Sequence, residues 1–413
     1  MINQNDMKRR FLIALTVAAT LTSVLSSCSR CCDSKDETAK YVFLFIGDGM
    51  GHAHVAATES YLSYKADTVG GAHLTFSRFP NIALTRTYSA NRAITCSAAG
   101  GTAIACGAKT NNEMIGVGPD GKALRSIAYD LKDRGYNVGI MTNNPVNHAT
   151  PACFYANSES RYSYYDICRQ LAESDFEYFA GSGFYQFRGK NGDQPSVQGF
   201  IEEKGYKVYY GTEEFNAREK DAEKVIFIQE SGREVDPEYY VSDGEEECDI
   251  KISRMLEMGL EVLGDEEPFF IMCEGGNIDW AAHSNKTMAM VMEVLDFNAA
   301  IDKAMEFYNE HKDETLIVVT ADHETGGLSI GQGVEWRKEI IGWDLLEKSW
   351  VESGEKNVLP FEENKALNES ALIGWTSCHH TGSPVVTYAI GKGAEKFNGM
   401  IDNIDIKGKI LGE

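Results

Sequence analysis

The stretch PFFIMCEGGNIDWAAH, residues 268–283, decides how the rest of the chain is interpreted. It begins with an apolar run typical of a buried strand and breaks at Glu274 and the two glycines that follow. It then continues as a helix, on which Asp279 and His283 share one face. Carboxylates and an imidazole in this arrangement can hold divalent cations. The stretch alone fits equally well a turn cap at Glu274 and a surface pair of Asp279 with His283.

The composition is that of a globular protein. The 413 residues are 43% hydrophobic, with 39 Gly and 9 Pro, which suffices for one large α/β domain or for two domains. The formal net charge of −23 repels nucleic acid and anionic lipid, so we expect neither as a partner. An anionic substrate would therefore need a local cationic site.

The N-terminus has the pattern of an export signal. Basic residues 8–10 precede an apolar run, 11–25, that is short for a membrane span. The run ends in LSSC, which is typical of a bacterial lipoprotein cleavage box, with Cys28 as the residue that is lipidated. The alternative is an ordinary secretory signal cut near Ser27. We expect an exported protein, anchored by lipid on the periplasmic side or at the cell surface, with a signal peptide at 1–27, a polar tether at 28–40 and a single domain at 41–413.

Apolar runs alternate with helical patterns along the chain. Strands are predicted at 41–47, 82–87, 137–142, 225–229, 269–273, 314–320 and 384–390, and helices at 97–107, 122–134, 161–173, 249–263 and 288–308. This alternation predicts an α/β fold with a doubly wound, mostly parallel sheet flanked by helices. The alternation of strands and helices is weak in two stretches, residues 185–247 and 331–374. We interpret both as insertions on the loop side of the sheet.

Metal-type side chains follow three of the predicted strands. Asp48 follows the first, Glu274 ends the second, and Asp322 with His323 follows the third. Ligands bind at the carboxyl ends of strands in such sheets, and gathered carboxylates repel each other unless cations neutralise them. His380, just before the last strand, is a further candidate. Each residue alone could also be a turn cap or a solvated pair.

A second signal is TCSAAGGT, residues 95–102, in which Ser97 opens a helix rich in Ala and Gly. The commonest role of a serine at this position is that of an N-cap. The alternative is a nucleophile whose alkoxide is stabilised by the helix N-terminus and a metal.

A third signal is HATPA, residues 148–152, followed by Arg161. The Thr150 hydroxyl can bind a hard cation, and a guanidinium can donate two parallel hydrogen bonds to a phosphate. Taken alone, an arginine such as Arg161 is more often a helix-surface residue in an ion pair.

Together the blocks GDGMG, TCSAAGGTAIACGAKT, HATPA with Arg161, EGGNIDWAAH, TADHETGG and HHTG resemble those of the alkaline phosphatases, in order along nearly the whole chain after the leader. The resemblance implies two zinc ions and a third ion, usually magnesium. It implies Asp279, His283 and His380 at the first zinc, Asp48, Asp322 and His323 at the second, and Asp48, Thr150 and Glu274 at the third ion. Ser97 would be the nucleophile and Arg161 the phosphate clamp.

The chain departs from the best-known bacterial members at three positions. Cys96 stands where they have Asp before the nucleophile, His148 where an Asp helps hold the third ion through water, and Trp280 where they have Lys. His148 is therefore a candidate neighbour of the third ion, whose identity these changes leave open. We expect Trp280 to pack in the core rather than over the site.

The resemblance implies a phosphomonoesterase that forms a phosphoserine intermediate and acts on small phosphate esters. The open alternatives are a phosphodiesterase or sulfatase on the same metal scaffold and a non-catalytic lipoprotein that captures phosphate or zinc. Family members are often dimers, so a homodimer is one expected assembly.

Overall fold

A ten-stranded sheet runs through the centre of the protein, in a computed structural model that describes residues 38–220, 222–233, 249–332, 341–354 and 359–413. In chain order the strands are β1 (Tyr41–Gly47), β2 (Asn81–Arg86), β3 (Asn137–Thr142), β4 (Tyr178–Gly181), β5 (Lys207–Tyr210), β6 (Val225–Ile228), β7 (Phe269–Gly275), β8 (Thr315–Thr320), β9 (Glu324–Thr325), β10 (Leu328–Ile330), β11 (Ile373–Trp375), β12 (His380–Thr381), β13 (Val385–Gly391) and β14 (Gly399–Asp402).

The sheet has the order β14-β2-β13-β8-β1-β7-β3-β4-β6-β5. Its neighbouring strands are parallel except where β13 lies antiparallel to β8 and to β2. The remaining strands form two short antiparallel pairs, β10 with β11 and β9 with β12. The predicted mostly parallel sheet is confirmed.

Helices cover both faces of the sheet, which confirms the doubly wound class. They are α1 (His52–Lys65), α2 (Ser97–Cys106), α3 (Ile127–Asp133), α4 (Ala149–Ala152), α5 (Tyr164–Glu173), α6 (Val197–Glu203), α7 (Gly211–Asn216), α8 (Ile252–Leu263), α9 (Asn277–His283), α10 (Thr287–Glu310), α11 (Trp343–Glu352), α12 (Phe361–Ser370) and α13 (Asp405–Leu411).

The central strand β1 shows why two apolar layers form. Every residue of YVFLFIG is buried, and successive side chains point to opposite faces. Phe43 and Phe45 pack into the layer that contains α1, α8 and α10, whereas Val42 and Leu44 pack into the layer of α2, α3 and α5. A strand between two helical layers therefore needs apolar side chains on both faces.

Strand register brings the carboxyl ends of the central strands level with one another. Ile46 of β1 pairs with Glu274 of β7 and with Thr320 of β8, and Thr142 of β3 pairs with the other side of Glu274. Asp48 follows β1 directly, and its backbone N–H donates to the carbonyl oxygen of Gly275 at 3.2 Å. Polar residues that are far apart in sequence therefore meet at one edge of the sheet.

Some element boundaries differ from the sequence expectations. The helix expected at 122–134 begins only at Ile127, because Val117 and Ala123 form a bridge before Ser126 caps the helix by accepting from the Tyr129 N–H. The helix expected from residue 161 begins at Tyr164, so Arg161 lies in the turn before it.

The prediction that residues 185–247 form an insertion on the loop side is wrong for their described part. The strands β5 and β6 continue the sheet beyond β4, with Val225 beside Tyr178 and Lys207 beside Val225. The segment was misread because its edge strands are only four residues long.

The described part of residues 331–374 packs against helices. The indole N–H of Trp343 donates to Ser60 of α1 at 2.9 Å. The side-chain amides of Asn364 and Asn368 both donate to the carbonyl oxygen of Asn285, two residues after His283, at 2.9 Å.

The predicted signal peptide at 1–27, Cys28 and the tether up to residue 37 lie outside the described residues. Within the described ranges, no helix has the length and apolar character that crossing a bilayer requires.

We predict that Gly100→Ala destabilises the protein, because a methyl group there would lie 2.7 Å from the Asp322 carbonyl oxygen, a backbone atom that cannot yield easily. Overpacking of this kind costs about 1–3 kcal/mol. The matched control is Gly199→Ala in α6, where no atom lies within 4 Å of the added methyl and about 0.5–1 kcal/mol of stabilisation is expected. Denaturant unfolding of both variants checks this, and equal effects of the two substitutions would contradict it.

Candidate active site

Three groups of ligand-type side chains converge at the carboxyl ends of β1, β7 and β8. Within each group the ligand atoms lie within 4.8 Å of one another. The groups are Asp48 with Asp322 and His323; Asp279 with His323 and His380; and Asp48 with His148 and Glu274. All the carboxylates among them are buried.

The first group surrounds the serine that the sequence singled out. The Nε2 atom of His323 lies 3.3 Å from Asp48 Oδ1, 3.4 Å from Asp322 Oδ2 and 3.2 Å from Ser97 Oγ. Asp322 Oδ1 accepts from the backbone N–H of Gly49 at 3.2 Å. Both oxygens of Asp48 and Oδ2 of Asp322 accept no hydrogen bond within the described part of the chain. Buried carboxylate oxygens without donors are the atoms that a cation would satisfy.

His380 of the second group and the neighbouring His283, which is not a member of any of the three groups but lies 3.2 Å from Asp279, are each held through Nδ1. His283 Nδ1 lies 2.7 Å from the Cys378 carbonyl oxygen, and His380 Nδ1 lies 2.9 Å from the Thr95 carbonyl oxygen. When each ring is neutral, Nδ1 carries the proton, because a carbonyl oxygen only accepts; when His283 is protonated, its Nε2 also donates to Asp279. The two Nε2 atoms then face each other at 3.1 Å, beside Asp279. Two lone pairs that converge on one carboxylate are the donor set of a metal ion.

The third group lies deeper in the fold. Glu274 Oε2 accepts from the Thr142 hydroxyl, and the Thr150 hydroxyl of α4 also faces Glu274. The third member besides Asp48 is His148, which precedes α4. An oxygen-rich set of this kind suits a hard cation.

Burial and mutual repulsion perturb the carboxyl groups. Burial, reinforced by Asp322 and Asp279, raises the pKa of Asp48 well above its ordinary value. Burial also raises the pKa of Glu274 and of Asp322 to about 7. Burial acts in the same direction on Asp279, but the hydrogen bond from His283 and the other nearby histidines outweigh it and hold its pKa below the ordinary value. Without cations the cluster therefore retains protons at neutral pH.

The metals that the resemblance implies fit this donor set. The side chains are mostly buried and converge from separate elements, some are held by a second hydrogen bond, and several of the oxygens have no partner among the described residues. All eight predicted ligands lie at this edge of the sheet, namely Asp48, Thr150, Glu274, Asp279, His283, Asp322, His323 and His380.

Ser97 is not the N-cap of its helix. Cys96 occupies the N-cap position, and Ser97 is the first residue of α2, with its Oγ turned towards His323. The small residues after Ser97 let the helix approach Asp322 closely, as the short distance at Gly100 shows. Ser97 therefore combines a helix N-terminus with a neighbouring ligand group, as a nucleophile requires.

Arg161 is not in a surface ion pair. Within the described ranges no carboxylate lies within ion-pair distance of it, and its Nη2 instead donates to His148 Nε2 at 3.1 Å. Its backbone N–H donates to the Glu113 carbonyl oxygen at 2.7 Å, which fixes the turn before α5. Burial, together with the Arg161 charge, lowers the pKa of His148 to about 3, so His148 is a neutral acceptor that orients the guanidinium.

The expectation that Trp280 packs in the core is wrong. Trp280 is half-buried, and its ring meets that of His148 edge-on, at 6.0 Å between centroids and 89° between planes. The Trp280 side chain points outward because Asp279 and His283 occupy the face of α9 that is directed towards the ligand groups.

Sequence reasoning missed Thr325, which joins two of the ligand groups. Its hydroxyl donates to Asp279 Oδ1 and lies 3.2 Å from His323 Nδ1, so that it can accept from this nitrogen. Gly49, at φ +68°, passes so close that a methyl group there would lie 2.7 Å from the Thr325 hydroxyl. The available signal was the spacing, since residues 323 and 325 point to the same side of an extended chain.

Comparisons with known proteins identify relatives of this chain. The family model for alkaline phosphatase matches residues 39–178 and 234–411. The chain is 31% identical to alkaline phosphatase 4 of Bacillus subtilis, over 88% of this chain and 86% of that protein. It is 26% identical to an alkaline phosphatase of Schizosaccharomyces pombe, over 96% and 85% of the two chains.

Solved structures of alkaline phosphatases share the fold. The enzyme from the Antarctic bacterium TAB5 superposes with a TM-score of 0.73 at 27% identity, over 91% of this chain and 98% of that chain. A cold-active enzyme from a psychrophilic Shewanella gives a TM-score of 0.76 at 27% identity, over 90% and 99%. From its family match, its relatives and its fold, the chain belongs to the alkaline phosphatases, which are phosphomonoester hydrolases.

Proposed function

We propose that this protein hydrolyses phosphate monoesters through a phosphoserine intermediate on Ser97, at a site that holds two zinc ions and one magnesium ion. The observation that carries the proposal is the position of Ser97 Oγ, 3.2 Å from His323 Nε2 and at the edge of three buried ligand groups. A compact hydroxyl at a helix N-terminus beside cation ligands suits attack on a phosphorus atom.

The assignment of ions follows the ligand chemistry. The nitrogen-rich group of Asp279, His283 and His380 suits one zinc ion, and Asp48, Asp322 and His323 suit the other. Asp48, Thr150 and Glu274 offer oxygen ligands for magnesium. Two solved structures of variants of the TAB5 enzyme hold magnesium in a site named M3, which supports a third site of this kind here.

When bound, the cations supply Lewis acidity that stabilises the charge on the attacking, leaving and phosphoryl oxygens. The residues of the chain then position the ester. Arg161 presents its guanidinium to two phosphoryl oxygens, held in orientation by neutral His148. The N-terminus of α2 directs backbone N–H groups towards the same phosphate.

The reaction then has two balanced steps. The Ser97 oxygen forms a bond to phosphorus while the bond from phosphorus to the alcohol oxygen breaks, and the alcohol leaves with a proton. Water next attacks the phosphorus of phosphoserine, the bond to the Ser97 oxygen breaks, and inorganic phosphate leaves. Each step places the entering and leaving oxygens on opposite sides of phosphorus.

We predict that the protein loaded with zinc and magnesium hydrolyses p-nitrophenyl phosphate faster than the corresponding diester or sulfate. Ser97→Ala should lower kcat by roughly 10³-fold or more, because alanine has no oxygen with which to form the covalent phosphoserine intermediate. Rates are measured with all three substrates, on both proteins, after chelation and again after zinc and magnesium are returned.

Zinc content measured on both proteins is the control, since Ser97→Ala removes no proposed ligand. Faster turnover of the diester or the sulfate would replace the monoesterase assignment by the corresponding alternative. Tight phosphate retention without turnover would indicate a capture protein, and undiminished activity of Ser97→Ala would remove the serine mechanism.

We predict that cation binding to the metal-free protein releases protons in a manner that depends on pH. Glu274 and Asp322, whose pKa values are about 7, are each half protonated at pH 7, and the bound state needs both ionised. Glu274 and Asp322 should therefore together release about one proton at pH 7 and more at pH 6, and Asp48, whose pKa is also raised, adds to this release, so the total number falls as the pH rises. Calorimetric titration with zinc and magnesium, in buffers that differ in ionisation enthalpy, measures this number.

Glu274→Gln is the matched variant, because glutamine keeps the shape but has no proton to lose. Its proton release at pH 7 should be smaller than that of the wild type by about half a proton. A release that grows as the pH rises would contradict the raised pKa values.

We predict that Thr325→Val weakens zinc binding by about 10–100-fold, whereas Thr325→Ser stays close to the wild type, because loss of the hydroxyl frees both Asp279 and His323. Zinc affinity is measured by competition with a chelator. The control is Thr381→Val, which removes the hydrogen bond from a neighbouring threonine to Glu324, a carboxylate outside the proposed ligand set. Equal losses in Thr325→Val and Thr381→Val would show that Thr325 has no special role.

A further inference from the structure

Three tyrosines in contact with one another, and a tryptophan joined to them through the His148 ring, lie beside Arg161, and we call these four side chains the aromatic wall. Its members are Tyr162, Tyr164, Tyr185 and Trp280. The ring centroids of Tyr162 and Tyr164 are 6.4 Å apart, and those of Tyr164 and Tyr185 are 5.0 Å apart. These are the separations of aromatic rings in favourable contact.

Both ends of the aromatic wall meet the residues proposed to handle phosphate. The Arg161 guanidinium carbon lies 6.0 Å from the centre of the Tyr162 ring. At the other end, the His148 ring lies 6.4 Å from Tyr185 and 6.0 Å from Trp280. Arg161 also donates to His148 at 3.1 Å. Arg161, His148 and the aromatic rings are therefore linked to one another by a closed chain of contacts.

Asn147, the residue before His148, fixes this arrangement. Its buried amide nitrogen donates to the carbonyl oxygens of Tyr164, at 3.1 Å, and of Tyr185, at 2.8 Å. Its side-chain oxygen accepts from the Tyr185 N–H at 2.8 Å. The backbones of the two tyrosines are thus fixed relative to each other and to His148.

The rings are accessible to a ligand. The Tyr162 side chain is 57% exposed, and the other three members are only half-buried. Tyr162 therefore offers an open ring face next to Arg161, and the partly buried rings of Tyr164, Tyr185 and Trp280 lie around it. Tyr185 also lies in residues 179–233, the part of the chain that the family model does not match.

From these contacts we infer that the aromatic wall binds the organic part of the substrate, and that the enzyme prefers monoesters that carry a planar aromatic group, such as nucleoside 5′-monophosphates. The inference rests on the proposed phosphomonoesterase function and adds the substrate class. An ester whose phosphate reaches Arg161 brings its organic group beside Tyr162 and Trp280. A flat ring there stacks on the exposed aromatic faces, whereas a sugar or an alkyl chain does not.

The test compares adenosine 5′-monophosphate with ribose 5-phosphate on the enzyme loaded with zinc and magnesium. Both substrates release the same kind of primary alcohol and differ only in the base, so intrinsic reactivity cancels. The expected kcat/KM ratio favours the nucleotide by about 5- to 150-fold, the range measured for stacking one base on an aromatic side chain. Equal values of kcat/KM would overturn the inference.

Two substitutions locate the preference on the wall. Tyr162→Leu and Tyr185→Leu should each lower the nucleotide-to-sugar ratio by about fivefold or more. The matched control is Tyr165→Leu. In the wild type the Tyr165 hydroxyl donates to the Pro195 carbonyl oxygen, and the side chain is not a member of the aromatic wall. The inference would be overturned if the nucleotide-to-sugar ratio of kcat/KM stayed unchanged in both Tyr162→Leu and Tyr185→Leu. It would also be overturned if the ratio fell by the same factor in Tyr165→Leu.

A second substrate pair separates stacking from recognition of the base edge. Benzyl phosphate should be preferred over cyclohexylmethyl phosphate, because the two organic groups have similar size and only benzyl is flat. A preference for the nucleotide without a preference for benzyl phosphate would mean that the base is read by hydrogen bonds, which would overturn the stacking assignment. Failure to hydrolyse any of the four esters would instead remove the proposed function.

Discussion

Electrostatic repulsion among buried carboxylates is the constraint on which this structure depends. Asp48, Glu274, Asp279 and Asp322 are all buried at one edge of the sheet, and two of them have pKa values raised to about 7. Burial of several such charges is unfavourable unless cations lie between them. The metal-free site therefore holds protons in the positions that divalent cations would take.

The fold supplies this convergence through the parallel register of its central strands. β1, β7 and β8 are buried on both faces, so their apolar residues fix the register and the strand ends carry the polar groups. The small residues of α2 then bring Ser97 against the same edge. Thr325, which lies outside the ligand groups, contacts Asp279 and His323 through its hydroxyl, and His148 of the third group accepts a hydrogen bond from the Arg161 guanidinium.

The sequence predicts the central strands well and places the candidate ligand residues at their ends, because both depend on local patterns. An apolar run ended by an acidic residue is visible without any knowledge of its neighbours, as at Asp48 and Asp322. The strand β6 was predicted at 225–229, but the edge strand β5 was missed because its four residues give little periodicity and its pairing with β6 is not visible in the sequence. Trp280 and Thr325 were misjudged or overlooked because their contacts cross between separate elements, and the aromatic wall needs four such contacts at once.

The central claim is that cations occupy the three ligand groups and make the convergence of carboxylates stable. The most direct test is anomalous diffraction from crystals of the purified protein, recorded above and below the zinc absorption edge. Our account predicts zinc peaks between Asp279, His283 and His380 and between Asp48, Asp322 and His323, with a lighter ion beside Glu274. Well-ordered side chains in the present arrangement without any peak between them would contradict it.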